Sequence, residues 1–584
     1  MSDTQEKALP GRINSLTSPG CYSQGPKKNF FIWSALNLVT LTHAFESTCL
    51  CVTLPKVARE LDASLSDSLS FGSCFLLAMA LIQPFASELS SIAGRRPALL
   101  LGILTFMVGA VICACAHTPT MLLVGRAIQG AGAGATEPIK ALIFYDIYGQ
   151  RERAKWVAFI NVSWAIGTVS GPLLGGVFTN SNTMTWRWVF WINLPFLTFS
   201  FVAAACLLGY DTPQKIPWKQ IATVDWGGLF LFVASGASFL IPLTWAGSRF
   251  SWGSYQVILP LVLGVLGLVS LGFYERRVAS RPIFKPSVFR EVSTSISCVN
   301  IALHGLLMWM LLYYMSIYYL GVKDYDAFTT GLWGLPATLT VAPMSIIVGI
   351  VVGKTGHYKS FLWAGWLLTI LTFGLLHLLK ANSSYVFLVL TTLVVGIGFG
   401  SLVPGMAVGI QGNVDREDAG HAICMTFLMR PAGQCLGIAV GLAVFSSRLE
   451  ELLVAQGYPA TLAQGLMKHA RTGMGRESDE IYPYLLKEIP RIIDCVMEAL
   501  QGVWTTGAAI AGFAMLLTLC IKTPRIKKDD QIKGPHPGGG VESAAAAETP
   551  QGQGGGLAAQ TDRVAVATQT ALDDAIRNDR PDGS

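Results

Sequence analysis

The chain has 584 residues, of which 52% are hydrophobic and only 13% are charged, whereas a soluble chain averages about 25% charged residues. Its formal net charge is +6, from 42 basic and 36 acidic residues. This composition excludes a soluble enzyme, a disordered scaffold and a nucleic-acid binder, and it indicates a membrane protein with many spans.

A helix needs about 20 apolar residues to cross a hydrocarbon core of about 30 Å. Fourteen runs of this kind follow one another along the chain, and they are too long and too evenly apolar to be the strands of a membrane barrel. We therefore predict an all-α polytopic fold with fourteen transmembrane helices. In chain order, spans one to fourteen are residues 30–54, 68–89, 97–115, 119–144, 156–178, 188–209, 225–246, 256–275, 295–321, 327–352, 360–380, 384–408, 420–446 and 499–521.

The basic residues of the short loops predict the orientation. An even number of spans places both termini on one side, and cytoplasmic loops carry an excess of Lys and Arg. The loops on the side of the termini carry Arg95, Arg96, Arg151, Arg153, Lys155, Lys215, Lys219, Arg276, Arg277, Arg281, Lys285, Arg290, Lys354, Lys359 and Arg416. The opposite loops carry only Lys56, Arg59, Arg187, Arg249, Lys323 and Lys380. Both termini are predicted to be cytoplasmic, which makes Asn382 an outward glycosylation sequon in a loop that is short for this modification.

The twelve cysteines do not predict a disulfide framework. Ten of them lie inside apolar runs, where Cys acts as a small hydrophobe, and the sequence contains no C-x-x-C pair. The polar residues 1–29 also lack the pattern of a cleaved signal peptide.

A pattern of small residues occurs twice at a constant offset of 262 residues, as between Gly94 and Gly356. The loop after span two reads Ser87-x-Leu89-x-Ser91-x-x-Gly94-Arg95-Arg96, and the loop after span ten reads Gly349-x-Val351-x-Gly353-x-x-Gly356, followed by Lys359. Repeated halves are typical of transporters that rock around a site at the membrane midplane. A chance match of small residues is the alternative.

Further motifs mark spans one, four, five and six. They read Glu46-Ser-Thr-Cys-Leu-Cys-Val-Thr-Leu-Pro55, Gly125-Arg126-Ala-Ile-Gln129-Gly130-Ala-Gly132, Gly167-x-x-x-Gly171-Pro172-x-x-Gly175-Gly176, and Trp186-Arg187-Trp188 with Asn193-Leu194-Pro195. Together they resemble the major facilitator superfamily, and within it the fourteen-helix drug/proton antiporter branch, over roughly residues 30–521. Only the span-five motif is specific when taken alone.

The resemblance implies two six-helix halves around an inserted helix pair. The expected organisation is a cytoplasmic tail (1–29), a first half (30–209), inserted helices seven and eight with cytoplasmic linkers (210–290), a second half (291–521) with an extracellular loop (447–498), and a disordered cytoplasmic tail (522–584).

One cytoplasmic motif departs from the family pattern. The family has Asp where this chain has Ser91, in the motif that continues to Gly94, Arg95 and Arg96. In the family that Asp is thought to help latch the closed cytoplasmic gate. Other partners for the two arginines are therefore expected, and the candidates are Glu88, Asp146 and Glu152.

Glu46 is the first candidate for proton translocation. It lies about 6 Å beyond the middle of span one on the outer side, where a carboxylate must be paired or protonated. His43 lies one turn earlier and is a candidate to share the proton, or else a structural core histidine.

Span four is the most charged span. Arg126 and Glu137 are eleven residues apart and therefore on one helix face, about 16 Å from each other along the axis. Arg126 is expected to hold an anionic group or to neutralise Glu46, with Gln129 orienting it. Glu137 is a candidate for proton translocation and Lys140 for the substrate cavity, or the two neutralise each other at i,i+3.

The second half adds candidates for the substrate cavity. These are Asn300 and His304 on span nine and Arg430 on span thirteen, for which pairing across the bundle is the alternative. Five aromatic residues of span nine suit a flat hydrophobic ligand, although we expect at least half of them to face lipid or the interface. On span five, Gly167, Gly171, Pro172, Gly175 and Gly176 are expected to form an outer hinge or seal, or simply a tight packing face.

The sequence predicts a transporter without a cofactor. Gly353-Lys354-Thr355 lacks the first glycine and the preceding strand of a phosphate loop, so an ion gradient is the expected energy source. The resemblance implies a monomer in the lipid bilayer that exports small hydrophobic molecules in exchange for protons across the plasma membrane, similar to fungal efflux pumps for toxins and secondary metabolites. The alternatives are a vacuolar or siderophore/basic-amino-acid carrier and a transporter-like membrane sensor. No enzyme activity or metal site is predicted.

Overall fold

The computed structural model describes residues 26–147, 150–181, 183–208, 224–246, 250–279, 282–412, 414, 418–458 and 485–522. We number the long helices in chain order. They are α1 (Pro26–Glu60), α2 (Leu65–Ala93), α3 (Arg95–Ala114), α4 (Pro119–Ile147), α5 (Gln150–Asn180), α6 (Trp188–Leu207), α7 (Trp226–Trp245), α8 (Tyr255–Arg277), α9 (Val292–Ile317, continued by a π-helix at Tyr318–Val322), α10 (Ala327–Thr355), α11 (Tyr358–His377), α12 (Tyr385–Gln411), α13 (Ala419–Ala455) and α14 (Leu485–Leu519).

The helices confirm the all-α polytopic membrane class. Within the described ranges, twelve helices are long and apolar enough to cross a membrane. The other two, α4 and α13, coincide with spans four and thirteen, and charged, amide and glycine residues lower their hydropathy. The total of fourteen spans and the cytoplasmic side of the termini stay predictions.

Several helices extend beyond the apolar runs of the sequence. Helix α1 begins at Pro26 inside the predicted tail 1–29, and residues 447–455 and 485–498 of the predicted loop are helical. An apolar run marks only the hydrocarbon segment, and a helix can continue past it, so the extracellular position of 447–498 stays a prediction. The predicted disordered tail lies outside the described residues, except for Lys522.

The internal repeat is visible in the backbone. Asp62 and Asp324 both adopt a left-handed conformation, with φ of 48° and 53°, and they are 262 residues apart. Gly94 and Gly356, at the same offset, have φ of 96° and 72°. A side chain is strained at such angles except for Asn, Asp or Gly. The corresponding turns after α1 and α9, and after α2 and α10, therefore confirm the repeat.

The two halves meet through two helix pairs. Helix α5 packs against α10, and α2 packs against α13. Under the repeat these pairs correspond to each other, as expected for two related bundles. Helix α7 packs against its neighbour α8 and also contacts α2 and α13, so the inserted pair touches both halves.

Candidate functional site

A buried ion pair joins α1 to α4. Nη1 of Arg126 lies 2.5 Å from Oε1 of Glu46, and the same nitrogen donates to Oε1 of Gln129 at 2.8 Å. Both charged side chains are shielded from solvent, with 0% of Glu46 and 1% of Arg126 exposed. The structure therefore brings together three residues that the sequence predicted, and it places them in the interior of the first half.

Two contacts of this cluster were not predicted from the sequence. Asn193 at the start of the longer part of α6 donates its amide to Oε2 of Glu46 at 2.5 Å, and Nε of Arg126 donates to the carbonyl oxygen of Phe71 at 3.0 Å. The guanidinium also lies 4.3 Å from the ring centre of Phe75. A polar amide in the middle of an apolar span was the signal for Asn193, which the sequence analysis used only as a family motif.

A second buried cluster lies one turn earlier on α1 and three turns later on α4. Nδ1 of His43 is 2.6 Å from Oε1 of Glu137, and Nζ of Lys140 is 2.7 Å from the same oxygen. Lys140 also donates to Oγ1 of Thr40 at 2.8 Å. These residues are at most 6% exposed. One carboxylate thus contacts two basic groups, and neutralisation of Lys140 by Glu137 is what the geometry shows.

The expected sharing of a proton between His43 and Glu46 is not seen. The two residues are one turn apart on α1, but each side chain reaches α4 at a different height. His43 contacts Glu137, whereas Glu46 contacts Arg126. The helices run in opposite directions, so the later residue of α1 meets the earlier residue of α4.

The candidate residues of the second half differ in their surroundings. Asn300 is buried and donates to Oγ1 of Thr518 at 2.9 Å, which places its amide between α9 and α14. His304 is also buried, with Nε2 3.3 Å from the carbonyl oxygen of Phe399. Arg430 on α13 is half-buried, and it makes no hydrogen bond or ion pair to a described residue. A Cβ on Gly305 of α9, the residue after His304, would lie 2.5 Å from the carbonyl oxygen of Arg430.

The span-five motif forms a close contact with two other helices. A Cβ on Gly167 would lie 2.5 Å from the carbonyl oxygen of Leu41 on α1, and one on Gly171 would lie 2.2 Å from Oγ1 of Thr48. On Gly175 it would lie 2.8 Å from the carbonyl oxygen of Cys49.

The last glycine of the motif faces the second half. A Cβ on Gly176 would lie 2.5 Å from Cα of Phe328 at the start of α10. On the facing helix, a Cβ on Gly331 would lie 2.7 Å from the carbonyl oxygen of Pro172. The small residues therefore allow α5 to touch the two halves at once, and the side chain of Asn180 donates to Asp326 at the same end.

The cytoplasmic motif contains contacts that replace the missing Asp. Nη1 of Arg95 donates to Oγ of Ser90 at 2.9 Å, and Arg96 donates to the carbonyl oxygen of Ala205 on α6. Ser91 bonds to the carbonyl oxygen of Glu88 within its own helix. The side chains of Asp146 and Glu152, two of the candidate partners, lie outside the described residues.

The same motif contacts the second half. Oγ of Ser87 is 3.1 Å from Sγ of Cys424, and this contact joins the C-terminal end of α2 to the N-terminal end of α13. Gly94 connects α2 to α3 at its positive φ.

The aromatic side chains of α9 are all buried, which corrects the expectation that at least half face lipid. Trp309, Tyr313, Tyr314, Tyr318 and Tyr319 are each at most 2% exposed. The reason is the position of α9, which packs against α12, α13 and α14 in the second half.

The sequon residue Asn382 is exposed in the short connection between α11 and α12. Ser384, the hydroxyl residue of the sequon, caps the N-terminus of α12 by accepting a hydrogen bond from the backbone N–H of Phe387. Glycosylation stays a prediction.

Two repeated helix bundles that enclose buried ion pairs define a class of protein, the membrane transporters built from related halves. The profile of the Major Facilitator Superfamily matches residues 36–438. A protein of Phoma sp. named MFS transporter L2 is 34% identical over 527 residues, which cover 89% of this chain and 87% of that protein. The chain belongs to the major facilitator superfamily.

Other relatives and solved structures agree with this assignment. The Acurin A biosynthesis cluster MFS-type transporter of Aspergillus aculeatus is 27% identical, over 91% of this chain and 94% of that protein. The efflux pump FUS6 of Gibberella fujikuroi is 28% identical, over 86% of this chain and 90% of that protein. A bacterial homologue of the human lysosomal transporter Spinster has the same fold, with a TM-score of 0.57 at 15% identity, over 85% of this chain and 98% of that chain. The protein is a multi-pass membrane transporter and not an enzyme.

Proposed function

We propose that this transporter exports small, mostly hydrophobic molecules, such as toxins or other secondary metabolites, in exchange for protons that flow inward. The observation that carries the proposal is the pair of Glu46 and Arg126, which is fully buried between two helices. A charge pair in such a place is costly to keep unless it has a use or many partners. The names of two relatives, an efflux pump and a transporter of a biosynthesis cluster, support the direction and the kind of cargo.

The contacts of Glu46 suggest how a proton is linked to movement. Its two oxygens are occupied, one by Arg126 and the other by Asn193. A proton on Glu46 removes the negative charge that neutralises Arg126, and a buried cation without a counter-ion is strongly unfavourable. The protonated protein therefore favours another arrangement of α1 and α4. One charge that crosses 100 mV supplies about 2.3 kcal/mol for this cycle.

We assign the other buried groups to supporting roles in this cycle. Glu137 and His43 are further candidates to carry the proton, because their contact can be broken and remade within the first half. Arg430 is half-buried without a counter-ion among the described residues, and we propose that it attracts a polar or anionic group of the cargo. His304 precedes Gly305, which packs against the backbone of Arg430.

Purified protein in vesicles with an imposed pH gradient tests the coupling. We expect Glu46→Gln to abolish export that depends on the gradient, because the amide cannot exchange a proton, while the variant still folds. The matched control is Glu60→Gln on the same helix, where the carboxylate is exposed and pairs with Arg187 at the surface. Gradient-driven export that is equal in the two variants would remove Glu46 from the coupling role.

We also propose the plasma membrane as the location and a monomer as the functional unit, since an efflux pump must release its cargo outside the cell. A fluorescently tagged copy in fungal cells tests the location. Labelling of the vacuolar membrane would instead support a vacuolar carrier. Deletion of the residues after Pro535 separates a pump from a sensor, because only a sensor would lose its response.

A further inference from the structure

A pocket in the outer half of the protein lies apart from the buried ion pairs. It is lined by α1, α5, α9, α10, α11 and α12 and encloses about 620 Å³, including its open mouth. We call it the outer aromatic pocket, and its lining residues are Cys51, Val52, Val169, Pro172, Leu311, Leu312, Met315, Ser316, Tyr319, Thr330, Gly331, Trp333, Gly334, Ala337, Thr338, Leu376, Thr392 and Val395. Cys51 lies five residues beyond Glu46 on α1, or about 7.5 Å along the helix.

The chemistry of this lining is nearly uniform. None of the lining residues, all of which the structure describes, carries a formal charge. Most of the hydroxyl groups bond to their own helix, as Ser316 does to the carbonyl oxygen of Leu312 and Thr392 does to that of Leu388. A charged ligand would lose its hydration here without gaining a counter-ion. The pocket therefore selects neutral, apolar molecules.

Two hydroxyl groups are exceptions. The OH of Tyr319 and Oγ1 of Thr330 have no hydrogen-bond partner among the described residues, although only 2% of each residue is exposed. A buried polar group that is left unpaired is unfavourable by about 1–3 kcal/mol, so such groups are rare without a role. Both residues line the pocket, one from α9 and one from α10. A ligand with one polar atom would supply the missing bond at whichever of the two hydroxyls it reaches.

Two aromatic side chains of the lining favour an aromatic ligand. The rings of Tyr319 and Trp333 lie 6.3 Å apart at an interplanar angle of 29°, and each also stacks with Tyr325, which is not part of the lining. Tyr319 also lies in the π-helix Tyr318–Val322 that ends α9. Such π-helical turns are frequent at functional sites. The local break in the helix and the two unpaired hydroxyls thus occur together.

We propose that the outer aromatic pocket is a second ligand site, which takes a neutral, aromatic, apolar molecule with a single hydrogen-bonding group. That this molecule is the exported cargo on its way out rests on the proposed function. The pocket adjoins the contact of Gly331 with Pro172, where the two halves touch. An occupant therefore lies next to the seal that must open for release.

Benzophenone is a suitable probe, because it is neutral, has two aromatic rings and has one carbonyl acceptor. On irradiation its oxygen takes a hydrogen atom from a nearby C–H bond, and the two carbon radicals join. We expect irradiation of the full-length protein in lipid nanodiscs, without a proton gradient, to give an adduct at Met315 or Leu311. Mass spectrometry of peptides locates it. Adducts only at lipid-facing side chains of other helices would overturn the proposal.

Variants make the test specific to the pocket. A Cβ on Gly334 meets no atom within 4 Å, so Gly334→Leu fills the space without a backbone clash. The matched control is Gly353→Leu on the same helix, which also meets no atom but lies outside the pocket. We expect Gly334→Leu to lose the Met315 adduct and Gly353→Leu to keep it. Persistence of the adduct in Gly334→Leu would contradict the proposal.

Two milder variants test the hydrogen bonds. Tyr319→Phe and Thr330→Val keep the shape of the lining and remove one hydroxyl each, so each should raise the benzophenone concentration for half-maximal labelling about twofold to tenfold. An unchanged concentration in both would refute the assigned role of these hydroxyls. The labelling is read without a proton gradient, and Glu60→Gln, whose surface carboxylate lies outside the pocket, should label like the wild type. Failure of proton coupling and failure of this site are therefore separate results.

Discussion

Because Arg126 and Glu46 form a buried pair, we expect Glu46→Gln in a double-mutant cycle to change the stability in opposite directions in the presence and in the absence of Arg126. Arg126 is 1% exposed and donates to Glu46, to Gln129 and to the carbonyl oxygen of Phe71. Arg126→Met removes the cation and leaves the carboxylate buried without its counter-ion, which costs about 3–5 kcal/mol. Glu46→Gln keeps an acceptor for Arg126 but leaves the buried cation without its counter-ion, so it also costs about 3–5 kcal/mol. The double variant contains neither charge, so it should lose only about 1–3 kcal/mol.

The cycle therefore has a clear outcome. Glu46→Gln should lower the melting temperature in the wild-type background and raise it in the Arg126→Met background. The protein carries its own reporters for this measurement, because Cys49, Cys113 and Cys435 are free and have 0% of their surface exposed. A thiol-reactive fluorophore labels them only as the helices separate on heating. A decrease of the same size in both backgrounds would refute the reasoning, since it would mean that the two side chains do not interact.

Three further predictions concern the backbone and one surface carboxylate. Gly167→Ala would place Cβ 2.5 Å from a carbonyl oxygen of α1, so it should lower stability by about 1–3 kcal/mol. Gly94→Ala would put a side chain at φ 96° and should cost about 1–3 kcal/mol. Hydrogen bonds from Ser287 and Lys285 hold the pKa of Asp418 below its usual value. Its stabilising effect should thus be full above about pH 3.9 and be lost as the pH falls through the lowered folded-state pKa.

Each of these predictions has a control. Gly374→Ala and Gly272→Ala add a Cβ that meets no atom within 4 Å, so melting temperatures that fall equally in these variants would contradict the first two predictions. For the third, Asp418→Asn should remove part of the acid sensitivity of the melting temperature. An identical loss of stability in acid for Asp418→Asn and the wild type would show that this carboxylate does not contribute.

The lengths of the apolar runs were sufficient to predict the helical membrane fold, because the bilayer thickness fixes how long such a run must be. The ends of the helices were less predictable. Residues 447–455 continue α13 with charged side chains, which carry no hydrophobic signal although the helix backbone satisfies its own hydrogen bonds there. The internal repeat was detectable from spacing, and Asp62 and Asp324 show it again in the turns after α1 and α9.

For the candidate site, helix periodicity predicted which charged side chains face the interior, but not which helix each one contacts. Arg126 and Glu137 are both buried on α4, as their spacing requires. The partner of His43 depends on the relative height of α1 and α4, which no local pattern encodes. Asn193 was missed as a hydrogen-bond donor to Glu46 because it carries no charge. The outer aromatic pocket was missed because it combines residues of α1 and α5 with residues of α9 to α12, which are far from them in the sequence.

The repeat gives the two halves a similar backbone, but the side chains proposed to be functional differ between them. Glu46 and Glu137 both belong to the first half, whereas most residues of the outer aromatic pocket belong to the second. Under the proposed function, substitutions in α9 to α12 would change which molecules are carried and leave Glu46 and Glu137 in place. The residues proposed for proton coupling and most of those proposed for ligand binding thus lie in different halves. The second half is therefore the place to begin when the specificity of this transporter is to be redesigned.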